Sequence, residues 1–150
     1  MNDVSVLVVE DNQFDMTIIT EALKAAEIEY IAVHNSVDAI EAAIKHQPSI
    51  ALLDLNMPVI DGRELCEMLQ KEPKTNHIKV IFLTASDRAE DILFGVRMHA
   101  AYYVKGVSMT ELIKGIKGID FAVKLEEEVT SYQNLNHALH NKYNRVCELH

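Results

Sequence analysis

The sequence has little cysteine, no long apolar stretch and no cluster of basic residues. Its two cysteines, Cys66 and Cys147, lie far apart and without a CxxC spacing, so they predict no disulfide framework and fit a reducing compartment. No apolar stretch approaches the roughly 20 residues that a membrane-spanning helix needs, and the first residues lack the pattern of a signal peptide. We therefore expect a cytoplasmic protein.

Positive charge is also scarce, because 14 lysines and arginines face 23 acidic residues and the formal net charge is −9. Nucleic acids and anionic membranes both favour clustered basic residues, so neither is an expected partner. The first predicted strand is followed by Glu10-Asp11-Asn12 and not by a glycine-rich phosphate-binding loop. That absence argues against a nucleotide- or flavin-binding domain.

Strands alternate with helices along the first 120 residues. Apolar runs predict buried strands over 4–9, 30–33, 50–53, 80–83 and 101–104. Each is followed by apolar residues at helical spacing, with Ser36 as the expected cap of the second helix and Ser108 as that of the fifth, where Glu111 completes a capping box. The fourth helix is expected over 87–98. The alternation predicts an α/β fold, a doubly wound five-stranded parallel sheet of order 2-1-3-4-5 with helices on both faces.

Residues 121–150 follow a different pattern and are expected to form a helical extension beyond a first domain of residues 1–120. Apolar residues recur there at three- and four-residue steps, at Leu125, Val129, Tyr132, Leu135, Leu139, Tyr143, Val146 and Leu149. Such an amphipathic helix is marginal alone in water, so we expect it to pack against something. Dimerisation, contact with a partner, folding back on the first domain and a linker role all remain open.

Two histidines of this extension, His137 and His140, lie three residues apart, a spacing that can hold a metal ion. No acidic residue or cysteine nearby completes a metal site with them. We expect both to be surface residues.

Polar residues collect where the predicted strands end. Glu10 and Asp11 follow the first strand and Asp54 follows the third, while Thr84 ends the fourth and Lys105 follows the fifth. The carboxyl ends of parallel strands share one rim, which is where this architecture places its sites. Close carboxylates repel by up to ~4 kcal/mol per pair at an effective dielectric constant near 20. A proton or a cation is therefore expected among them, and oxygen ligands suit Mg²⁺.

The same rim has the groups that phosphoryl transfer needs. The ammonium of Lys105 and the hydroxyl of Thr84 can donate to the oxygens of a phosphoryl group. A carboxylate nucleophile forms an acyl phosphate. Asp54 is the expected nucleophile, because it ends the central strand.

Four sequence segments together resemble the CheY-like receiver domain of two-component response regulators. They are VVEDN (8–12), LLDLNMPVIDG (52–62), FLTA (82–85) and YYVK (102–105). The resemblance covers residues 1–120 with all its motifs in order. It implies a flavodoxin-like fold and a signalling module that is not an enzyme, apart from its own phosphorylation from a phosphodonor and its autodephosphorylation.

The resemblance also implies a role for each site residue. Asp54 would accept a phosphoryl group from a histidine kinase or histidine phosphotransfer protein. Mg²⁺ would be bound by Asp11, by Asp54 and by the backbone carbonyl of Asn56, with Glu10 acting through water. Thr84 and Tyr102 would act as the switch that passes the change to a downstream protein partner, through the face made by helix 4, strand 5 and helix 5.

Two positions depart from the usual receiver pattern. Gly106 follows Lys105 where the family usually has proline, and Met98-His99 replaces the common Gly-Ala before the fifth strand. Glycine lacks the rigidity of proline, so we expect a more mobile loop before the last helix. Neither change removes a reacting group, but both lie near the expected signalling face.

Two other functions also use an aspartate at a strand end or a receiver fold. A haloacid-dehalogenase-type phosphatase would have DxD after its first strand, whereas here the expected nucleophile ends the third strand and position 56 is Asn. A degenerate receiver would act as an interaction or dimerisation module without phosphorylation. The complete set of acidic residues, threonine and lysine argues against a degenerate receiver, although Gly106 keeps that alternative open.

Overall fold

A computed structural model of the chain describes residues 4–148, with side chains up to residue 142. The strands are β1 (Ser5–Val9), β2 (Glu29–Val33), β3 (Ile50–Leu53), β4 (Lys79–Thr84) and β5 (Ala101–Val104). The helices are α1 (Gln13–Ala25), α2 (Ala39–His46), α3 (Gly62–Lys71), α4 (Ala89–Arg97) and α5 (Met109–Glu148).

The five strands form one parallel sheet in the order β2-β1-β3-β4-β5. The predicted α/β fold and strand order are therefore confirmed. Every residue of β3 is buried, and β1 and β4 are buried except at their first residues. Burial on both faces is the reason that these strands read as continuous apolar runs in the sequence.

The core lies between this sheet and the apolar faces of the helices. Met16, Ile19 and Leu23 of α1 are buried, as are Leu65 and Leu69 of α3. Each set repeats at three- or four-residue steps, which place its side chains on one face of the helix.

The prediction that Ser36 caps the second helix is wrong. The helix begins only at Ala39, after Asp38. The side chain of Ser36 is buried, and its hydroxyl donates a hydrogen bond to the carbonyl oxygen of Pro58 at 3.1 Å. A serine hydroxyl bonds equally well to a distant carbonyl or to a helix terminus, so sequence alone could not distinguish the two uses.

Two other predicted helix ends have different outcomes. Ser108 caps α5 as expected, because its hydroxyl accepts a hydrogen bond from the backbone N–H of Thr110 at 3.2 Å. Glu111, the expected second half of a capping box, pairs with Lys114 at 3.6 Å. The fourth helix is shorter than predicted and spans Ala89–Arg97.

The chain divides into two compact units, residues 1–117 and residues 118–150. The described part of the second unit is the later part of α5. Its most exposed large apolar side chains, each about half exposed or more, are Phe121, Leu125, Val129, Tyr132, Leu135 and Leu139. His137 and His140 are exposed, as predicted. Among the described residues, no helix is long and apolar enough to cross a membrane.

Candidate functional site

The site residues are held by backbone hydrogen bonds that continue the sheet past its strand ends. The N–H of Asp54 donates to the carbonyl oxygen of Val9 at 3.4 Å, and the N–H of Lys105 donates to that of Thr84 at 2.7 Å. The N–H of Glu10 donates to the carbonyl oxygen of Val33 at 3.2 Å. These hydrogen bonds therefore fix the backbone of Asp54, Lys105 and Glu10 at the same rim of the sheet.

Three carboxylates meet at this rim. One oxygen each from Glu10, Asp11 and Asp54 lies within 4.8 Å of the others. Glu10 and Asp54 are buried, with exposures of 2% and 5%, whereas Asp11 is exposed. The N–H of Asn12 donates to Glu10 Oε1 and the N–H of Asn56 donates to Asp54 Oδ1, both at 3.2 Å. The sequence-predicted acidic residues are thus brought together, and neighbouring backbone N–H groups orient the carboxylates of Glu10 and Asp54.

The ammonium of Lys105 reaches into the same cluster. Its Nζ lies 2.8 Å from Asp54 Oδ2, 2.8 Å from Asp15 Oδ2 and 3.3 Å from Glu10 Oε1. An ammonium has three N–H donors, so these three carboxylates use all of them. One donor of Lys105 is therefore aimed at the side chain that the sequence indicates as nucleophile.

Asp15 was not predicted from the sequence as a site residue. It lies in the first turn of α1, and its N–H is bound by the side chain of the capping residue Asn12 at 2.9 Å. An acidic residue in the first turn of a helix is common, because the helix dipole stabilises negative charge there. Its sequence position therefore gave no signal that distinguished it from an ordinary residue of a first helical turn.

Thr84 and Tyr102 both contact Ser86. Thr84 is fully buried, and its Oγ1 accepts a long hydrogen bond from the Ser86 N–H at 3.4 Å. The hydroxyl of Tyr102 donates to the Ser86 carbonyl oxygen at 2.8 Å. The neighbouring Tyr103 lies elsewhere, with its hydroxyl against Gly115 of α5. Tyr102, and not Tyr103, is therefore the aromatic residue linked to the Thr84 end of the site.

Gly62 allows the chain to return beneath Asp54. Its N–H donates to the carbonyl oxygen of Leu55 at 2.8 Å. A Cβ atom on Gly62 would lie 2.2 Å from the Asp54 carbonyl oxygen and 2.7 Å from Leu55 Cα. The backbone approach that supports Asp54 thus leaves no room for a side chain at position 62.

Comparison with known proteins agrees with this geometry. The family model described as the response regulator receiver domain matches residues 6–117. The chain belongs to this family. It is a receiver domain of two-component signal transduction, in a family of signalling domains that are generally not enzymes.

This receiver is similar in sequence and structure to several response regulators. The polar-differentiation response regulator DivK of Brucella anthropi is 30% identical over 114 residues, which cover 75% of this chain and 93% of DivK. The phosphorylated cyanobacterial phytochrome response regulator RcpA is 30% identical, with a TM-score of 0.64 and coverage of 79% and 92%. The Mn²⁺-bound form of response regulator Rcp1 is 29% identical, with a TM-score of 0.63 and coverage of 78% and 91%.

The electrostatics of the receiver site follow from burial and from the close charges. Burial raises the pKa of Glu10 to about 7, the charge of Asp54 adds to the increase, and Lys105 opposes it. Burial alone would lower the pKa of Lys105, but its hydrogen bonds to Asp15 and Asp54 outweigh this and raise it. Lys105 is therefore a cation at neutral pH, while Glu10 holds a proton part of the time.

The acidic cluster has the chemistry of a site for a hard divalent cation. Its donors are carboxylate oxygens, two of the three side chains are buried, and the negative charge of Asp54 adds to the increase in the Glu10 pKa that burial causes. Mg²⁺ prefers oxygen ligands and is commonly held by one or two carboxylates together with waters. Among the described residues, no other group of three or more acidic, histidine or cysteine side chains is arranged to hold a metal ion.

Loop geometry explains one departure from the receiver pattern. Gly106 has a φ angle of 102°, in the region that favours glycine. Proline has φ fixed near −65° and cannot adopt this conformation. The loop after Lys105 therefore follows a path that the usual proline would not allow.

Proposed function

We propose that this receiver accepts a phosphoryl group on Asp54 from the phosphohistidine of a kinase or phosphotransfer protein. The observation that carries the proposal is the 2.8 Å hydrogen bond from Lys105 Nζ to Asp54 Oδ2 inside the acidic cluster. Within the acidic cluster Asp54 lies nearest to Lys105 Nζ, at 2.8 Å against 3.3 Å for Glu10. The same cation can move to an oxygen of a phosphoryl group that reaches Asp54.

The transfer exchanges one bond for another at phosphorus. A carboxylate oxygen of Asp54 attacks the phosphorus atom, the bond from phosphorus to the histidine nitrogen breaks, and the imidazole leaves with that electron pair. Lys105 and the hydroxyl of Thr84 would then donate to the phosphoryl oxygens. Hydrolysis by water later returns the carboxylate and inorganic phosphate.

Mg²⁺ is the cation that the proposed site would hold. Asp11, Asp54 and the backbone carbonyl of Asn56 would bind it directly, and Glu10 would act through water. When bound, it supplies positive charge that offsets the carboxylates and the oxygens of the phosphoryl group. Mn²⁺ in the related Rcp1 structure supports a divalent cation at this site, and the phosphorylated state of the related RcpA supports the proposed phosphorylation.

The proposed switch uses Thr84 and Tyr102. Since both now bond to Ser86, a turn of the Thr84 hydroxyl toward a phosphoryl group would break its contact with the Ser86 N–H. The freed Ser86 backbone would then shift, and Tyr102, which bonds to its carbonyl oxygen, would lose that hydrogen bond and move inward. Tyr102→Phe, which removes only the hydroxyl, is expected to phosphorylate normally but to give a different α4–β5 chemical-shift response in NMR spectra.

The face around α4 and β5 is the proposed contact for a downstream protein partner. Large apolar side chains lie exposed there, namely Ile92, Leu93 and Val96 of α4 and Val104 of β5. Grouped apolar residues at a surface mark interaction sites more often than isolated ones do.

The experiment that tests the phosphoacceptor measures intact mass after incubation with acetyl phosphate and Mg²⁺. We expect a gain of one phosphoryl group that requires Mg²⁺ and is absent in Asp54→Asn. Asp61→Asn is the matched control, because Asp61 lies outside the cluster and caps α3 through an oxygen that asparagine retains.

A different result would favour the alternative function. If wild type gains no mass and binds no Mg²⁺, the phosphoacceptor assignment is wrong. The chain would then be a degenerate receiver that acts as an interaction or dimerisation module.

A further inference from the structure

The later part of α5 has an apolar stripe with a period of seven residues. Core positions in alternating steps of three and four fall at Ala122, Leu125, Val129, Tyr132, Asn136 and Leu139, and residues 122–142 make three such heptads. Leu125, Val129, Tyr132 and Leu139 are exposed by 49%, 48%, 66% and 55%. A helix that leaves such a stripe uncovered gains stability only when another surface covers it.

The seven-residue period indicates what kind of surface this is. An apolar repeat of 3.5 residues, slightly shorter than the 3.6 of a straight helix, is the pattern of two helices that wrap around each other in a left-handed supercoil. A groove on a globular partner would need no such sustained period. The stripe is therefore typical of a coiled-coil seam.

Asn136 identifies the partner helix. It occupies an a position in an otherwise apolar seam, with Val129 one heptad before it. An asparagine amide has both donors and acceptors, so it is satisfied by a second asparagine and left unpaired by an apolar side chain. A single asparagine at an a position specifies register and dimeric state at a cost in stability.

We infer that residues 122–142 pair with the same residues of a second copy in a parallel two-stranded coiled coil. Positions of type a face each other only in the parallel arrangement, so only there does Asn136 meet Asn136. In an antiparallel pair, a positions face d positions, which here are Leu125, Tyr132 and Leu139.

The flanking charges are compatible with this self-pairing. In the parallel register, Glu128 at a g position lies opposite Gln133 at the next e position of the partner. That contact contains one charge and no repulsion. The remaining acidic side chains at Glu126 and Glu127 face other positions, so the in-register arrangement does not bring like charges together across the seam.

The first test is the size of the full chain in solution, measured by sedimentation without any phosphodonor. This makes the result independent of whether Asp54 is phosphorylated. We expect a concentration-dependent dimer. A chain that stays monomeric up to about 100 µM would overturn the inference, because its dissociation constant would then be weaker than that of ordinary specific pairs. A trimer or tetramer would overturn it as well.

Val129→Glu tests whether the dimer uses this seam. It places two like charges at facing core positions, so we expect dimerisation to weaken by roughly tenfold or more and helix content to fall. Ser131→Glu is the matched control, because it adds the same side chain to the same helix outside the seam and should leave the dimer unchanged. Equal dimerisation in both variants would assign the dimer to another surface.

Ala122→Cys tests the orientation in a Cys147→Ser background. Residue 122 lies at an end of the described seam, so it meets its own copy only when the helices are parallel. We expect rapid disulfide cross-linking under mild oxidation. A dimer that does not cross-link at this position would be antiparallel or out of register, and the inference would be wrong.

Discussion

The carboxylate of Asp15 lies 2.8 Å from the ammonium of Lys105, the same distance that separates this ammonium from Asp54. One cation is thus shared between a predicted phosphoacceptor and a carboxylate on a different element. Asp15, in the first turn of α1, holds Lys105 at the site, and it would keep its contact with the ammonium after Asp54 has been phosphorylated.

Asp15→Asn is expected to lower the pKa of Lys105. The raised value depends on hydrogen bonds to Asp15 and Asp54 that outweigh burial, and asparagine keeps the shape of the acceptor without its charge. Titration of the Lys105 ammonium by NMR would measure the change. Glu21→Gln, on the exposed surface of α1 beside Lys24, is the control that should leave Lys105 unaffected.

The sign of the linked stability change follows from that pKa. A lysine whose pKa is higher in the folded state contributes stability that is fully present below its unfolded pKa, near 10.5. The contribution is lost as the pH rises through the folded value. The difference in unfolding free energy between Asp15→Asn and wild type should therefore be constant near neutral pH and shrink only in strongly alkaline solution.

Glu10 should make the metal-free protein less stable as the pH rises from about 4.5 to about 7. Its pKa rises from 4.5 to about 7 on folding, chiefly because of burial and then because of Asp54. The folded state therefore binds more protons than the unfolded state within this range, and the unfolding free energy falls with pH. Urea unfolding in the presence of a chelator would measure the slope.

The variant Glu10→Gln separates this effect from other titrations. Glutamine cannot ionise, so the Glu10 part of the slope should disappear. Added Mg²⁺ should also reduce the slope in wild type, because a cation favours the charged carboxylate. An identical slope in wild type and variant would contradict the assignment to Glu10.

Gly62→Ala is expected to lower the unfolding free energy by about 2 kcal/mol or more, because the new Cβ would overlap backbone atoms. The clash distances are 2.2 Å to the Asp54 carbonyl oxygen and 2.7 Å to Leu55 Cα. Gly118→Ala is the matched control, since a Cβ there meets nothing within 4 Å. That helical substitution should stabilise by up to about 1 kcal/mol, as measured by urea unfolding.

Cys66 should resist alkylation in the folded protein. It is fully buried, and burial raises its pKa to about 11, whereas the thiolate is the reactive form. In a Cys147→Ser background, iodoacetamide at pH 8 should not label the folded protein. After urea unfolds the protein, one label should be added, on Cys66. Rapid labelling without urea would show that α3 opens readily around Cys66.

Much of this receiver could be predicted from the sequence because its signals are local. The strands β1, β3 and β4 are nearly continuous apolar runs because both faces of the sheet are covered. Consecutive apolar residues in the sequence therefore indicate a buried strand directly. Once a parallel sheet was inferred, Asp54, Thr84 and Lys105 had to share one rim. The roles of these residues, in contrast, remain predictions until they are measured.

Only the tertiary structure decided the contacts between residues that are distant along the chain. Asp15 meets Lys105 across 90 positions, Ser36 bonds to Pro58, and Gly62 lies against Asp54. An acid in a first helical turn, a serine before a helix and a glycine after an aspartate each have an ordinary local explanation. Their actual partners depend on how separate elements pack, and no local pattern encodes that packing.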